Sequence, residues 1–165
     1  MKSDKQHIAV IVRDDPGVLQ RVSGLFSRRS YNIDSITVGA SEIENLSRMT
    51  VVANGDSRQI LQLCNQLRKL IDVIHVEHLE DRPTVARELL LVKVIYEQAT
   101  KAELNDLINT FRCSVIDVSL QSVIVQAIGD REKNDAFLQL IRPYGILEIT
   151  RTGETAMARG SEQSH

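Results

Sequence analysis

Twice along its length the chain runs through the same order of patterns: strand, helix, strand, strand, helix, strand. This repeat limits the possible folds more than any single residue does. The run HIAVIVR, His7 to Arg13, is short and β-branched, which makes it a strand. It ends at Asp14-Asp15-Pro16-Gly17, and beyond that turn Val18, Leu19, Val22, Leu25 and Phe26 recur at helical spacing to about Arg29. Residues 31–40 and 46–53 are both β-rich and are separated by a polar turn containing Ser41, Glu42, Glu44 and Asn45, which reads as a hairpin. Asn54-Gly55-Asp56 breaks the strand, Ile60, Leu61, Cys64, Leu67 and Ile71 resume the helical period, and residues 73–79 return to an extended pattern. After the charged stretch Glu80-Asp81-Arg82-Pro83-Thr84, which reads as a linker, the pattern starts over. It offers a strand over 89–96, a helix over 101–112, two strands over 114–119 and 122–128, a helix capped by Asp130, and a last strand over 146–151.

Two right-handed split βαβ units of this kind predict an α+β protein made of two consecutive βαββαβ domains, residues 1–80 and 84–165. Each domain is expected to carry a four-stranded antiparallel sheet with helices on one face and the other face open. The tail from Thr152, rich in Gly, Ser and Glu, shows no pattern and is expected to be flexible unless a partner holds it. At 165 residues each domain has only a marginal core of its own, so each is expected to lean on a neighbour. A four-stranded sheet with an exposed edge predicts pairing into a homodimer.

Composition closes off several functions. A formal net charge of −2 gives no broad electrostatic footprint for nucleic acid or an anionic membrane, and the absence of Trp argues against stacking platforms for single strands. No stretch approaches a membrane span, and MKSDKQH runs straight into a strand without a signal-peptide apolar region, so a cytoplasmic location is expected. Cys64 and Cys113 fall inside helix-like and strand-like patterns in different halves and read as small core residues of a reducing compartment.

No nucleophile with a base, carboxylate pair, metal cluster or phosphate loop appears at recognisable spacing, so neither a catalytic nor a metal site is expected. His75 and His78 point to opposite faces of a strand, unlike the helical pair of zinc enzymes. One feature does have binding physics. Where the chain leaves the first strand at Asp14-Asp15-Pro16-Gly17-Val18-Leu19, the amides of Gly17, Val18 and Leu19 can face a ligand at the positive end of a helix dipole. Gly17 leaves the backbone approachable, and Asp14 can hold an ammonium group on the other side. The same turn also reads as a plain helix cap.

The segments Pro16-Gly17-Val18-Leu19-Gln20-Arg21-Val22, Gly24-Leu25-Phe26-Ser27, Tyr31-Asn32-Ile33-Asp34-Ser35-Ile36-Thr37-Val38 and Leu46-Ser47-Arg48-Met49-Thr50 closely resemble the small regulatory subunit of acetohydroxyacid synthase (acetolactate synthase). Further matches are Gln66-Leu67-Arg68-Lys69-Leu70-Ile71-Asp72-Val73, residues 87–94, Phe111-Arg112, Ile116-Asp117-Val118 and Arg159-Gly160, so the resemblance covers almost the whole chain.

It implies an N-terminal ACT domain, a ferredoxin-like module that binds amino acids, followed by a second ferredoxin-like domain. It implies a non-catalytic subunit that activates a large catalytic subunit holding thiamine diphosphate, FAD and magnesium, and that confers feedback inhibition by valine in branched-chain amino-acid biosynthesis. In that family the effector sits between the loop after the first strand of one chain and the second strand of another. Carried over, the valine site is Asp14, Asp15, Pro16, Gly17, Val18 and Leu19 of one chain with Asn32 and Ile33 of its partner, although ordinary sheet packing at a dimer interface also accounts for those last two. The family usually has Asn where this chain has Asp14, and an ionised Asp only accepts, which suits the ligand's ammonium group. The alternative is a free-standing amino-acid-binding regulator of another enzyme or of transcription, but the short leader offers no helix-turn-helix.

Overall fold

The computed structural model describes residues 5–160 and shows an α+β fold of two βαββαβ units. In the first, β1 (Lys5–Arg13), α1 (Val18–Arg29), β2 (Asn32–Ala40), β3 (Leu46–Asn54), α2 (Ser57–Arg68) and β4 (Val73–His78) give an antiparallel sheet in the order β2-β3-β1-β4. Alternation along β1 turns Ile8, Val10 and Val12 toward the helices, where they join Met49, Val51 and Ala53 of β3 in one buried cluster.

Helix α1 contributes Val18, Val22, Leu25 and Phe26, the i, i+4, i+7, i+8 stripe of an amphipathic helix. It stops at Ser30, whose left-handed backbone sends its N–H back to the Phe26 carbonyl. Helix α2 opens with a reciprocal capping box: Asp56 accepts from the Gln59 amide and the Gln59 side chain accepts from the Asp56 amide. It buries Ile60, Leu63, Cys64 and Leu67, each stabilising by about 1.5–3 kcal/mol for the larger side chains.

The second unit holds β5 (Thr84–Ile95), α3 (Lys101–Thr110), β6 (Ser114–Val118), β7 (Ser122–Gly129), α4 (Arg131–Ile141) and β8 (Ile146–Arg151), with sheet order β6-β7-β5-β8. Leu90, Val92 and Val94 pack with Val123, Val125, Ala127, Leu104 and Phe137 in its own core. Asp130 caps α4 as expected, accepting from the Lys133 amide at 2.8 Å.

The tail departs from the sequence reading. Residues from Glu154 belong with the first compact unit, which otherwise runs to Val85, and the second unit ends at Gly153. Within the tail Thr155–Ala158 forms a strand, β9, on the sheet face turned away from α1 and α2. The Ala156 amide donates to Thr50 Oγ1 at 3.3 Å and Arg48 Nη2 donates to the Ala156 carbonyl at 2.9 Å. The face expected to be open is therefore covered in this unit, and Ala9, Thr50 and Val52 on it are buried. Four residues, Thr155-Ala156-Met157-Ala158, are too few to announce such a strand by period, and all of its partners are distant in sequence.

Candidate functional site

The turn at the head of α1 is built by backbone conformation. Gly17 sits at φ +84°, ψ −2°, in the left-handed region that glycine enters without cost, and no side chain caps the helix there. Asp14 and Asp15 do not serve as caps: the Asp14 amide donates to the Asn45 carbonyl at 2.9 Å, and neither carboxylate has a hydrogen-bond or ion-pair partner among the described residues. The turn starts the helix with Gly17 itself at the N-cap and without a side-chain cap. The amide of Val18 turns back to the Asp15 carbonyl at 3.4 Å, while those of Gly17, Leu19 and Gln20 meet no acceptor among the described residues. Gln20 therefore takes the place expected for Val18, whose side chain is a core residue. The first turn of α1 contains no acidic residue; the carboxylates nearby in sequence are those of Asp14 and Asp15 in the turn before it.

Arg21 completes the arrangement. Its Nε donates to Asp72 Oδ2 at 2.6 Å, and a Cβ built on Gly17 would lie 3.1 Å from its Nη1. The guanidinium is thus held beside the turn by a carboxylate that itself lies at the base of β4, where the Asp72 carbonyl accepts from the Arg13 amide at 2.9 Å. Free amides, a helix dipole and a fixed guanidinium together form a cradle for a carboxylate. The exposed Asp14 at the strand end provides the opposite charge that an α-ammonium group needs. Arg21 was visible in sequence only as a polar residue in the helical stripe. Its role depends on Asp72, fifty-one residues away.

The structure does not bring Asn32 and Ile33 to this turn. Along the sheet Asn32 pairs with Asn54, which pairs with Lys5, whereas Arg13 pairs with Leu46 at the far end. Nine residues of strand separate the two ends, about 27 Å. Asn32 is exposed on the edge strand, and Ile33 packs at the margin of the first core. Ile33, Ile36 and Phe26 line an open groove of about 490 Å³ between α1 and β2. Burial pushes the thiols of Cys64 and Cys113 above the ordinary cysteine range, which keeps both protonated and unreactive.

The comparisons with known proteins agree with this architecture. Residues 8–75 match the family model of the AHAS small subunit-like ACT domain, so the first unit is an ACT domain. Residues 87–160 match the model of the small subunit of acetolactate synthase. The chain is 50% identical over 162 residues to the probable acetolactate synthase small subunit of Methanothermobacter thermautotrophicus, covering 98% of this chain and 96% of the relative. It is 46% identical over 160 residues to the acetolactate synthase small subunit of Bacillus subtilis, covering 96% and 93%. The crystal structure of the acetolactate synthase small subunit from Thermotoga maritima superimposes with a TM-score of 0.88 at 38% identity, covering 96% of this chain and 99% of that one. The chain belongs to the acetolactate synthase small-subunit family.

Proposed function

We propose that this chain raises the activity of an acetolactate synthase large catalytic subunit and makes it sensitive to valine, bound where two copies of the ACT domain meet. The observation that supports this reading best is the Gly17 turn, with unsatisfied amides beside the anchored Arg21. The ligand's carboxylate fits that turn, its ammonium group fits Asp14, and its aliphatic side chain needs an apolar wall that the chain alone does not supply at that end of the sheet.

A second copy supplies it. Strand β2 is an edge strand, and two copies related by a twofold axis pair their β2 strands antiparallel. Ala40 pairs with Ser47, beside the Leu46–Arg13 pair, so the end of β2 lies at the same end of the sheet as the turn. Antiparallel pairing brings the partner's Asn32 and Ile33 to that end. Each site then takes its turn from one chain and its wall from the other, and the homodimer is a condition of sensing. Thiamine diphosphate, FAD and magnesium belong, in this reading, to the large subunit. Among the described residues of this chain no group of three or more His, Cys, Asp or Glu side chains is placed to hold a metal ion.

The test is reconstitution. The large subunit is assayed for acetolactate formation with increasing wild-type chain or Gly17→Asp chain, with and without millimolar valine. Asp tolerates a left-handed backbone better than most residues, at a cost of about 1 kcal/mol, and its carboxylate would lie beside Arg21 and occupy the cradle from within. Activation should persist, while the valine needed for half-inhibition rises roughly ten- to hundredfold, the worth of charge-assisted hydrogen bonds of about 1.5–3 kcal/mol. No change in rate on adding the wild-type chain sinks the functional reading. Unaltered valine inhibition with Gly17→Asp sinks the site.

A further inference from the structure

The ACT sheet has two edges, and the dimer proposed above uses only β2. At the other edge, β4 and α2 form a flank with an unusual surface. We propose that this α2–β4 flank docks the large catalytic subunit, through an apolar patch of that subunit bordered by carboxylates; the inference rests on the functional reading above.

Three large apolar side chains stand in solvent here: Leu61 on α2, 60% exposed, Ile71 in the following turn, 84%, and Ile74 on β4, 51%. Ile74 owes its position to a bulge. Ile11 pairs with His75 and Val12 with Val73, so Ile74 has no partner across the strand and is turned outward, as bulged residues at sheet edges are. From Leu61 to the helix end at Arg68 the flank extends along α2 for about 10 Å at 1.5 Å per residue.

Along α2 the charge has one sign. From Ser57 to Ile71 the chain carries Arg58, Arg68 and Lys69 and no carboxylate, and none of the three has an acidic partner among the described residues. Of the nearby acids Asp72 is held by Arg21 and Glu77 by Arg82, while Asp81 stands exposed with His78 Nδ1 3.3 Å away. A cationic helix beside an apolar strip, on a chain of net charge −2, fits a partner surface that carries carboxylates along that helix.

A groove of about 500 Å³ runs between α2 and β4, lined by Leu61, Arg68, His75 and Arg82 and by the carboxylates of Glu77 and Asp81 among others. His75 Nε2 is buried and has no hydrogen-bond partner among the described residues, a state that a carboxylate or carbonyl from a docked protein would relieve.

A second copy of this chain is a poor occupant. Twofold pairing of β4 with β4 would set the cations of one copy against those of the other, and Arg68 Nη2 already donates to the outward Val76 carbonyl at 3.3 Å, which blocks the ladder that such pairing needs. The partner must read side chains instead of extending the sheet.

Two exposed substitutions test this, Ile71→Asp and Arg58→Glu; the second places an acid in the first turn of α2, where it favours the helix. Each variant is titrated into the large subunit, after its melting temperature and its own dimer have been compared with wild type by thermal scan and sedimentation. The concentration for half-maximal activation should rise about tenfold or more for each, as for residues central to an interface, with the same plateau and the same valine response at saturation. For wild type that concentration should also rise with salt, and less steeply for Arg58→Glu. Variants that fold as wild type and activate at the wild-type concentration overturn the inference. If wild type itself leaves the large subunit unchanged, the functional reading falls, and this inference with it.

Discussion

His7 holds two carboxylates at once. Its Nδ1 lies 2.5 Å from Glu80 Oε1 and its Nε2 3.2 Å from Glu154 Oε1, while its backbone N–H donates to the same Glu80 oxygen at 2.8 Å. A neutral imidazole has one N–H and one lone pair, so it can donate to only one of them; both contacts need the imidazolium. Burial works against that charge, but the hydrogen bonds and charges of Glu154 and Glu80 outweigh it and raise the His7 pKa above its usual 6.5. The contribution is therefore complete below about pH 6.5 and lost as pH rises through the elevated value of the folded protein. Glu80 keeps the backbone amide, so the His7–Glu154 contact is the one that weakens on deprotonation, and it is one of the ties that hold the tail strand β9. Amide exchange at Ala156 and Arg159, corrected for its intrinsic pH dependence, should quicken severalfold between pH 6 and 8.5, and Glu154→Gln should flatten that response. Equal protection across the range in wild type would count against the latch. None of this was legible in sequence, where His7 opened a strand, Glu80 sat in a linker and Glu154 in a patternless tail.

Among the elements, β5, β8 and α4 are tied by a buried charge. Glu88, almost wholly buried, accepts from Arg151 Nε at 3.0 Å and Nη2 at 2.7 Å and from Asn134 Nδ2 at 3.1 Å, and Arg151 Nη1 reaches Asp135 at 2.7 Å. Removing one partner of such a group leaves the others desolvated and unpaired. Glu88→Ala should destabilise the second unit by about 3 kcal/mol, the lower end for a buried pair because Arg151 keeps Asp135 and some water. Chemical denaturation followed in that unit measures it, and a loss under about 1 kcal/mol would mean that the Glu88 cluster adds little to its stability. Elements whose identity rests on local pattern were legible: the apolar stripe of α1, the β-branched run of β1, the Asp130 cap of α4. The start of β5 was not, since Thr84 to Glu88 carry polar and small residues and become strand only through neighbours far along the chain. The Gly17 turn with its free amides was legible, but the guanidinium beside it was not, because Arg21 gains its position from Asp72.

At the scale of the whole assembly, the placement of Asn32 and the Gly17 turn at opposite ends of one sheet sets a rule for mixtures if the proposed dimer holds. A chain damaged at the turn and a chain damaged at the β2 wall would each form dimers with no working effector site. When the two are unfolded together and refolded, a mixed dimer combines both lesions in one site and leaves the other site with an intact turn and an intact wall. Co-refolded Gly17→Asp and Ile33→Asp chains should therefore recover valine inhibition that neither shows alone. At equal amounts random pairing makes half the dimers mixed, each with one of two sites working, so about a quarter of the wild-type sites return. Recovery of none would mean that turn and wall come from the same chain. In a cell with two differently damaged copies of the gene, the same arithmetic makes feedback control a property of the pair.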